Sequence, residues 1–199
     1  GVFSNFTMEG TYAYKVQIGT DSKVSFGLTA GIFQSSINAN GLSGDNYTDL
    51  NDPMLTSEFY NGLNFMSGFG AMYYFKNLEI GAGLPSLIVS GRPVSGHLFL
   101  MGRYKHTMPY EDWEVSPSMV YKQIPNSPNL FDFGMKGAWK NMIWLQATYS
   151  TNNTTLVGLG MRVKEFEIGY ANIISMSELA KISKGSHQVI LTFEFGKPE

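Results

Sequence analysis

The chain has 199 residues, of which 43% are hydrophobic and 14% aromatic, and its formal net charge is −2. An evenly spread, near-neutral charge excludes the basic surface of a nucleic-acid-binding domain, so no nucleic-acid partner is expected. The absence of cysteine excludes disulfides and thiolate metal sites. No apolar run approaches the roughly eighteen residues of a transmembrane helix. No signal sequence is recognisable at the start, so that segment is either removed or lies upstream.

Eleven segments of about ten residues, between Met8 and Phe195, alternate apolar and polar side chains. This two-residue period is that of a β-strand with one apolar face. The chain is therefore predicted to be all-β and antiparallel. In chain order, the clearest segments are Thr11–Ile18, Lys23–Ile32, Leu156–Val163 and Gln188–Phe195.

The connections between these segments alternate in length. Those after odd-numbered segments have about two to five residues, whereas the two longest, Asn38–Phe59 and Ile174–Ser186, follow even-numbered segments. Outer-membrane β-barrels have such tight periplasmic turns and longer outside loops. The pattern predicts an antiparallel transmembrane β-barrel in the outer membrane of a Gram-negative bacterium, with its apolar face against outer-membrane lipid.

A soluble β-sandwich or a lipocalin-like barrel is the alternative interpretation of the apolar face. Those folds use about seven to nine strands, and eleven meander strands fit neither. The opposite face also carries many charges, which suit the wide, hydrated lumen of a membrane barrel. These charges are Lys15, Lys23, Glu79, Arg103, Glu114, Lys122, Asp132, Lys136, Arg162, Glu167 and Glu194.

The odd number of segments is unusual, because single-chain bacterial barrels normally have an even number. Residues 1–199 are predicted to form a single outer-membrane β-barrel domain that lacks its N-terminal strands. A barrel cannot leave open edges in lipid. Missing N-terminal strands of the same protein are therefore expected to pair with Thr11–Ile18 and Gln188–Phe195.

Three histidines, His97, His106 and His187, are the candidate general bases near neutral pH. His187 directly follows Ser186, and outer-membrane lipid hydrolases use serine and histidine near the lipid-facing rim. No third group is placed by the sequence to orient an imidazole. The histidines are interpreted as interfacial polar residues at strand ends, and no enzyme activity, catalytic residue or cofactor is expected.

The long loop Asn38–Phe59 contains possible oxygen ligands in Asp45, Asn46, Asp49 and Asp52. It lacks the spacing of an EF-hand and the bidentate glutamate that ends such a loop. An ordinary solvated loop rich in turn-forming residues is the preferred interpretation. No metal site is predicted.

Many glycines fall on the predicted lumen side of the strands. They either leave room for a plug or a polypeptide or simply allow sharp bending, and the sequence does not choose between the two. These glycines are Gly27, Gly31, Gly68, Gly70, Gly81, Gly83, Gly158, Gly160 and Gly169.

Several local patterns, taken in order from about Phe3 to Gly196, resemble the PorP/SprF outer-membrane proteins of the type IX secretion system. One departure is Asn172–Met176, where the family more often continues with acidic and aromatic residues. The patterns that carry the resemblance are Ser25-Phe26-Gly27-Leu28 with Ala30-Gly31, Asn51-Asp52-Pro53, Ile168-Gly169-Tyr170-Ala171 and Gly185-Ser186-His187.

The resemblance implies a role in exporting, binding or anchoring a secreted surface protein, including adhesins of gliding bacteria. It implies a further N-terminal region of about three strands, which would give a fourteen-stranded barrel. Implied partners are the secreted protein or its C-terminal sorting domain and periplasmic components of the secretion machinery. A passive porin or hydrophobic-solute channel is the alternative; from the residues alone the two functions are about equal, and a lipid-modifying enzyme is a distant third. The candidate partner-binding residues are Arg103, Lys105, Lys122, Arg162, Asp45, Asp49 and Asp52.

Overall fold

A computed structural model describes residues 3–37, 63–89, 92–93, 97–109, 112–176 and 186–193. Every regular element among them is a β-strand. No helix among the described residues is long and apolar enough to cross a membrane. The strands are β1 (Phe3–Gln17), β2 (Ser22–Ile37), β3 (Leu63–Phe75), β4 (Leu78–Val89), β5 (Arg92–Pro93), β6 (Leu98–Tyr104), β7 (His106–Thr107), β8 (Trp113–Gln123), β9 (Leu130–Trp139), β10 (Ile143–Ser150), β11 (Thr154–Val163), β12 (Phe166–Ser175) and β13 (Ser186–Phe193).

The strands form one antiparallel meander in the order β1-β2-β3-β4-β6-β8-β9-β10-β11-β12-β13. The eleven strands of this path confirm the predicted segments. Two-residue strands β5 and β7 pair with β4 and β8 beside the path. Strands β6 and β7 share one register against β8, and the ladder is interrupted where Pro117 stands opposite Tyr104. Proline has no N–H to donate, so one ladder hydrogen bond is missing there.

The first strands are longer than predicted. β1 has 15 residues and β2 has 16, rather than about ten. Their full-length pairing from Phe3↔Ile37 to Gln17↔Lys23 extends the hairpin well beyond its alternating part. The ends of β1 and β2 farthest from their connecting turn have mixed polarity. They therefore show no alternation of apolar and polar side chains, although their backbones still pair.

One face of the meander is apolar and open to its surroundings. Leu28 is 61% exposed, Leu159 57% and Leu191 76%. The register joins such residues across strands, as in the row Leu145↔Leu159↔Tyr170↔Val189. A soluble core would bury these side chains, whereas a lipid-facing wall leaves them outward. This is the wall of a transmembrane β-barrel, as the alternation predicted.

Tight turns join the strands at the end with the short connections. Several turn residues have positive φ, including Lys76, Lys140, Asn141 and Lys164. Two-residue hairpin turns need this conformation to match the twist of the strands.

Gly68 marks a bulge between β3 and β4, where an added Cβ would lie 2.7 Å from the backbone oxygen of Pro85.

Strands β1 and β13 are the outer strands of the sheet, and they do not pair with each other within the described residues. An eleven-stranded barrel closed through these two strands is therefore not what the described part of the chain forms. The pairing of further strands with these edges stays a prediction.

Candidate functional site

The inner face of the sheet carries a band of charged side chains near the end with the short turns. Its members come from the starts of β4, β8 and β12, from the ends of β6, β9 and β11, and from Lys105 directly after β6. Neighbouring antiparallel strands bring those ends together. We call this set the charged belt. It comprises Glu79, Arg103, Lys105, Glu114, Lys136, Arg162 and Glu167.

Glu79 is the centre of the first part of the belt. Its carboxylate accepts hydrogen bonds from Arg103, with Nε at 2.8 Å, and pairs with the Lys105 ammonium at 2.8 Å. Arg103 stands directly opposite Glu79 in the β4–β6 register. The carboxylate side chain is only 6% exposed, so two cations hold a buried anion.

Trp144 organises the second part of the belt. Its indole Nε1 donates to Glu167 Oε1 at 3.0 Å, and the Lys136 ammonium lies 4.8 Å from the centre of its ring. Arg162 Nε donates to Glu167 Oε2 at 2.8 Å. The ring lies over glycine: an added Cβ at Gly160 would lie 2.4 Å from Trp144. The glycine on β11 therefore makes space for the indole.

A further ion pair lies at the opposite end of the inner face. The Lys122 ammonium is 2.5 Å from Asp132 Oδ2, and the Ser150 hydroxyl donates to Asp132 Oδ1 at 2.6 Å. Asp132 on β9 stands opposite Val120 on β8 and Ser150 on β10, so its carboxylate lies between the two strands that carry Lys122 and Ser150.

The cations and carboxylates of the inner face differ in exposure. The basic groups form the accessible layer and the carboxylates lie beneath them, so the inner face presents positive charge whose position is held by the buried carboxylates. Side-chain exposures are 36% for Arg103, 41% for Lys105, 31% for Lys122 and 32% for Arg162, against 6% for Glu79, 13% for Asp132 and 18% for Glu167.

Four of the sequence-predicted partner-binding residues, Arg103, Lys105, Lys122 and Arg162, therefore lie on one face, each in an ion pair. The sequence reasoning missed the roles of Trp144 and of the carboxylate partners. If neighbouring strands are paired through their turns, opposite charges fall side by side, and this signal could have identified Glu79 and Glu167 as the ion-pair partners. The predicted loop residues Asp45, Asp49 and Asp52 lie outside the described residues.

The histidines do not form a Ser–His arrangement in the described residues. His187 Nδ1 is 2.5 Å from the Tyr170 hydroxyl and 3.1 Å from Asn172 Nδ2. The His106 ring lies beside Tyr104, with ring centres 6.5 Å apart. In the part of the chain that the structure describes, no group of three or more His, Asp or Glu side chains could hold a metal ion.

An open antiparallel wall with an apolar outer face and an ion-paired inner face defines a membrane protein of the β-barrel class. The family model of the type IX secretion system membrane protein PorP/SprF matches residues 1–193, and the chain belongs to this family. Comparison with curated proteins gave no match, and comparison with solved structures gave none either.

Proposed function

We propose that this chain is an outer-membrane barrel of the type IX secretion system that binds a secreted surface protein and anchors it or assists its export. Membership of the PorP/SprF family supports the link to secretion. The exposed apolar face supports placement in lipid, and short turns on one side support an outer-membrane orientation with those turns in the periplasm. The secreted protein or its C-terminal sorting domain is the expected partner, together with periplasmic components.

The observation that carries the proposal is the layered charge of the inner face. Basic groups of Arg103, Lys122 and Arg162 are accessible while their carboxylate partners lie beneath. Acidic side chains and carbonyl oxygens of a polypeptide can accept hydrogen bonds from such groups without displacing the partners, because a guanidinium such as that of Arg103 carries five N–H donors and an ammonium carries three. A fixed positive lining also speeds the capture of an acidic segment.

Native co-purification with exchanged charges tests this proposal. The exchange Lys122→Asp with Asp132→Lys keeps an ion pair but reverses the accessible charge, and Arg162→Glu with Glu167→Arg does the same on β11 and β12. We expect both exchanges to weaken retention of the secreted partner about tenfold, with the barrel still folded. The exchange Lys76→Asp with Asp21→Lys, at a surface pair in the short turns, is the control.

A passive porin is the second candidate function, since a charged lumen also suits water and small ions. Planar-bilayer recordings separate the two. Steady conductance by a barrel that leaves the native membrane without any secreted or periplasmic partner would refute anchoring. Partner retention that is lost in the exchanged variants would refute the passive porin.

A further inference from the structure

A trough crosses the inner face at right angles to the strands, next to the charged belt: its lining residues Gly81 and Met101 lie two positions along their strands from Glu79 and Arg103. Its floor is one register row, Ala13↔Gly27↔Gly70↔Gly83↔Phe99, that runs from β1 to β6. With neighbouring strands about 4.8 Å apart, this row is roughly 19 Å long. The trough has a volume of about 390 Å³ and adjoins a hollow of about 200 Å³. We call it the glycine trough.

The floor glycines are not required by the packing around them. An added Cβ would meet its nearest atom at 3.8 Å at Gly27, 3.6 Å at Gly70 and 3.7 Å at Gly83, which are ordinary contacts. Gly81 is different, because its Cβ would lie 2.1 Å from the sulfur of Met72. The three floor glycines therefore keep space open, while Gly81 makes room for a neighbour.

Apolar side chains wall the trough. Met72 and Met101 meet over Gly81 in the next register row, and Phe99 and Val120 line the trough at the β6 and β8 side. The floor backbone belongs to paired strands, so its N–H and C=O groups are already used. A peptide in the trough would leave its own amides without partners, at a cost of about 1–3 kcal/mol each. An alkyl chain has no such groups.

One end of the trough is polar. Ser25 is 8% exposed and lines the trough, and its hydroxyl has no hydrogen-bond partner among the described residues. Lys15 stands opposite Ser25 in the register, with its ammonium 4.4 Å from the centre of the Tyr74 ring. Lys15 and Lys23 have no carboxylate partner within the described ranges.

We propose that the glycine trough binds a long-chain carboxylate, such as a free fatty acid. The carboxylate accepts from the Ser25 hydroxyl and the Lys15 ammonium, and the alkyl chain lies on the glycine floor toward Phe99. This is a site for a small amphiphile, distinct in its ligand from the polypeptide binding proposed above; Lys122, used there, stands opposite Phe99 at the far end of the trough. It uses residues outside the charged belt.

Fluorescence titration of the whole chain in lipid nanodiscs, with dansyl-undecanoic acid as probe and palmitate as competitor, tests the site. Empty nanodiscs give the signal from lipid partition. We expect saturable binding that palmitate displaces and hexadecanol displaces about tenfold less well, because hexadecanol lacks the anionic group. Signal equal to that of empty nanodiscs, or equal displacement by the alcohol, would overturn the proposal.

Variants locate the ligand. Gly70→Leu fills the floor and should weaken binding about tenfold or more, and Lys15→Gln should weaken it several-fold. Gly137→Leu, at a glycine on the outer face with no atom within 4 Å of an added Cβ, is the matched control and should bind normally. If Gly70→Leu folds poorly, the milder Gly27→Ala replaces it. Unchanged fatty-acid binding in the floor variants would refute the trough as the binding site, whatever the result of the partner test on the charged belt. The two proposals can therefore fail separately.

Discussion

Individual side chains of the inner face are fixed by contacts that cross strand boundaries. Trp144 on β10 lies against Gly160 on β11 and donates to Glu167 on β12. Each of these residues is ordinary in its own strand. Their combination is possible only because the register places the three strands side by side.

Gly160→Ala tests the space beneath the indole. An alanine Cβ would lie 2.4 Å from Trp144, so the ring must shift from the position in which it contacts Glu167 and Lys136. We expect a loss of about 1–3 kcal/mol in the free energy of unfolding, measured by urea unfolding from lipid vesicles. Gly137→Ala, where the new methyl meets open space, should leave stability unchanged or raise it. Equal effects of the two variants would contradict the packing argument.

The Glu79 cluster should respond asymmetrically to the loss of charge. Removing both cations with Arg103→Met and Lys105→Met leaves a carboxylate that is 6% exposed without compensation. Glu79→Gln instead leaves two cations that reach the lumen water. We expect the double variant to be less stable than Glu79→Gln by about 1–3 kcal/mol. Comparable urea midpoints for the two proteins would show that the carboxylate is well solvated.

Each strand of the path has two faces with different surroundings, one apolar and exposed and one on the inner side of the sheet. β11 shows it plainly: Leu159 is 57% exposed, whereas its neighbours Gly158 and Gly160 are buried. The same alternation continues through the adjacent strands because the antiparallel register keeps like faces together.

Spin labels measure which face meets lipid. Labels at Leu28, Leu159 and Leu191 should be relaxed by oxygen and shielded from aqueous reagents, and a label at the inner-face residue Gln146 should behave in the opposite way. Leu159→Arg should cost about 2–4 kcal/mol of stability near the bilayer midplane. Aqueous accessibility at all three leucine positions would exclude a lipid-facing wall.

At the scale of the molecule, the meander separates two ends as well as two faces. All connections after β1, β3, β7, β9 and β11 lie at one end, and all of these have short turns within the described residues. The charged belt lies near this end. If the short turns are periplasmic, the belt faces the compartment from which secreted proteins arrive.

Cysteine labelling in intact cells tests this orientation. A membrane-impermeant maleimide should react with Asn152→Cys, in the β10–β11 turn, and should not react with Lys164→Cys, in the β11–β12 turn. Permeabilised cells should label both positions, which controls for exposure of the turns. Labelling of Lys164→Cys alone in intact cells would show that the barrel has the opposite orientation, with the charged belt near the outside of the cell.

The sequence by itself determined the fold class, the eleven-strand path and the face of each strand. Those properties follow from the local two-residue period and from the lengths of the connections, and both can be read directly from one sequence. It also placed Arg103, Lys105, Lys122 and Arg162 on the inner face. It did not determine the length of β1, because paired backbone continues where the side-chain alternation stops.

Only the tertiary structure decided which inner-face groups meet. The ion pair of Glu79 with Arg103 joins residues 24 positions apart, and the glycine trough joins five strands through one register row. A shift of one residue in register would reverse the faces of a strand and break every such contact. Register is set by cross-strand hydrogen bonds and packing, which the sequence of an isolated strand does not display.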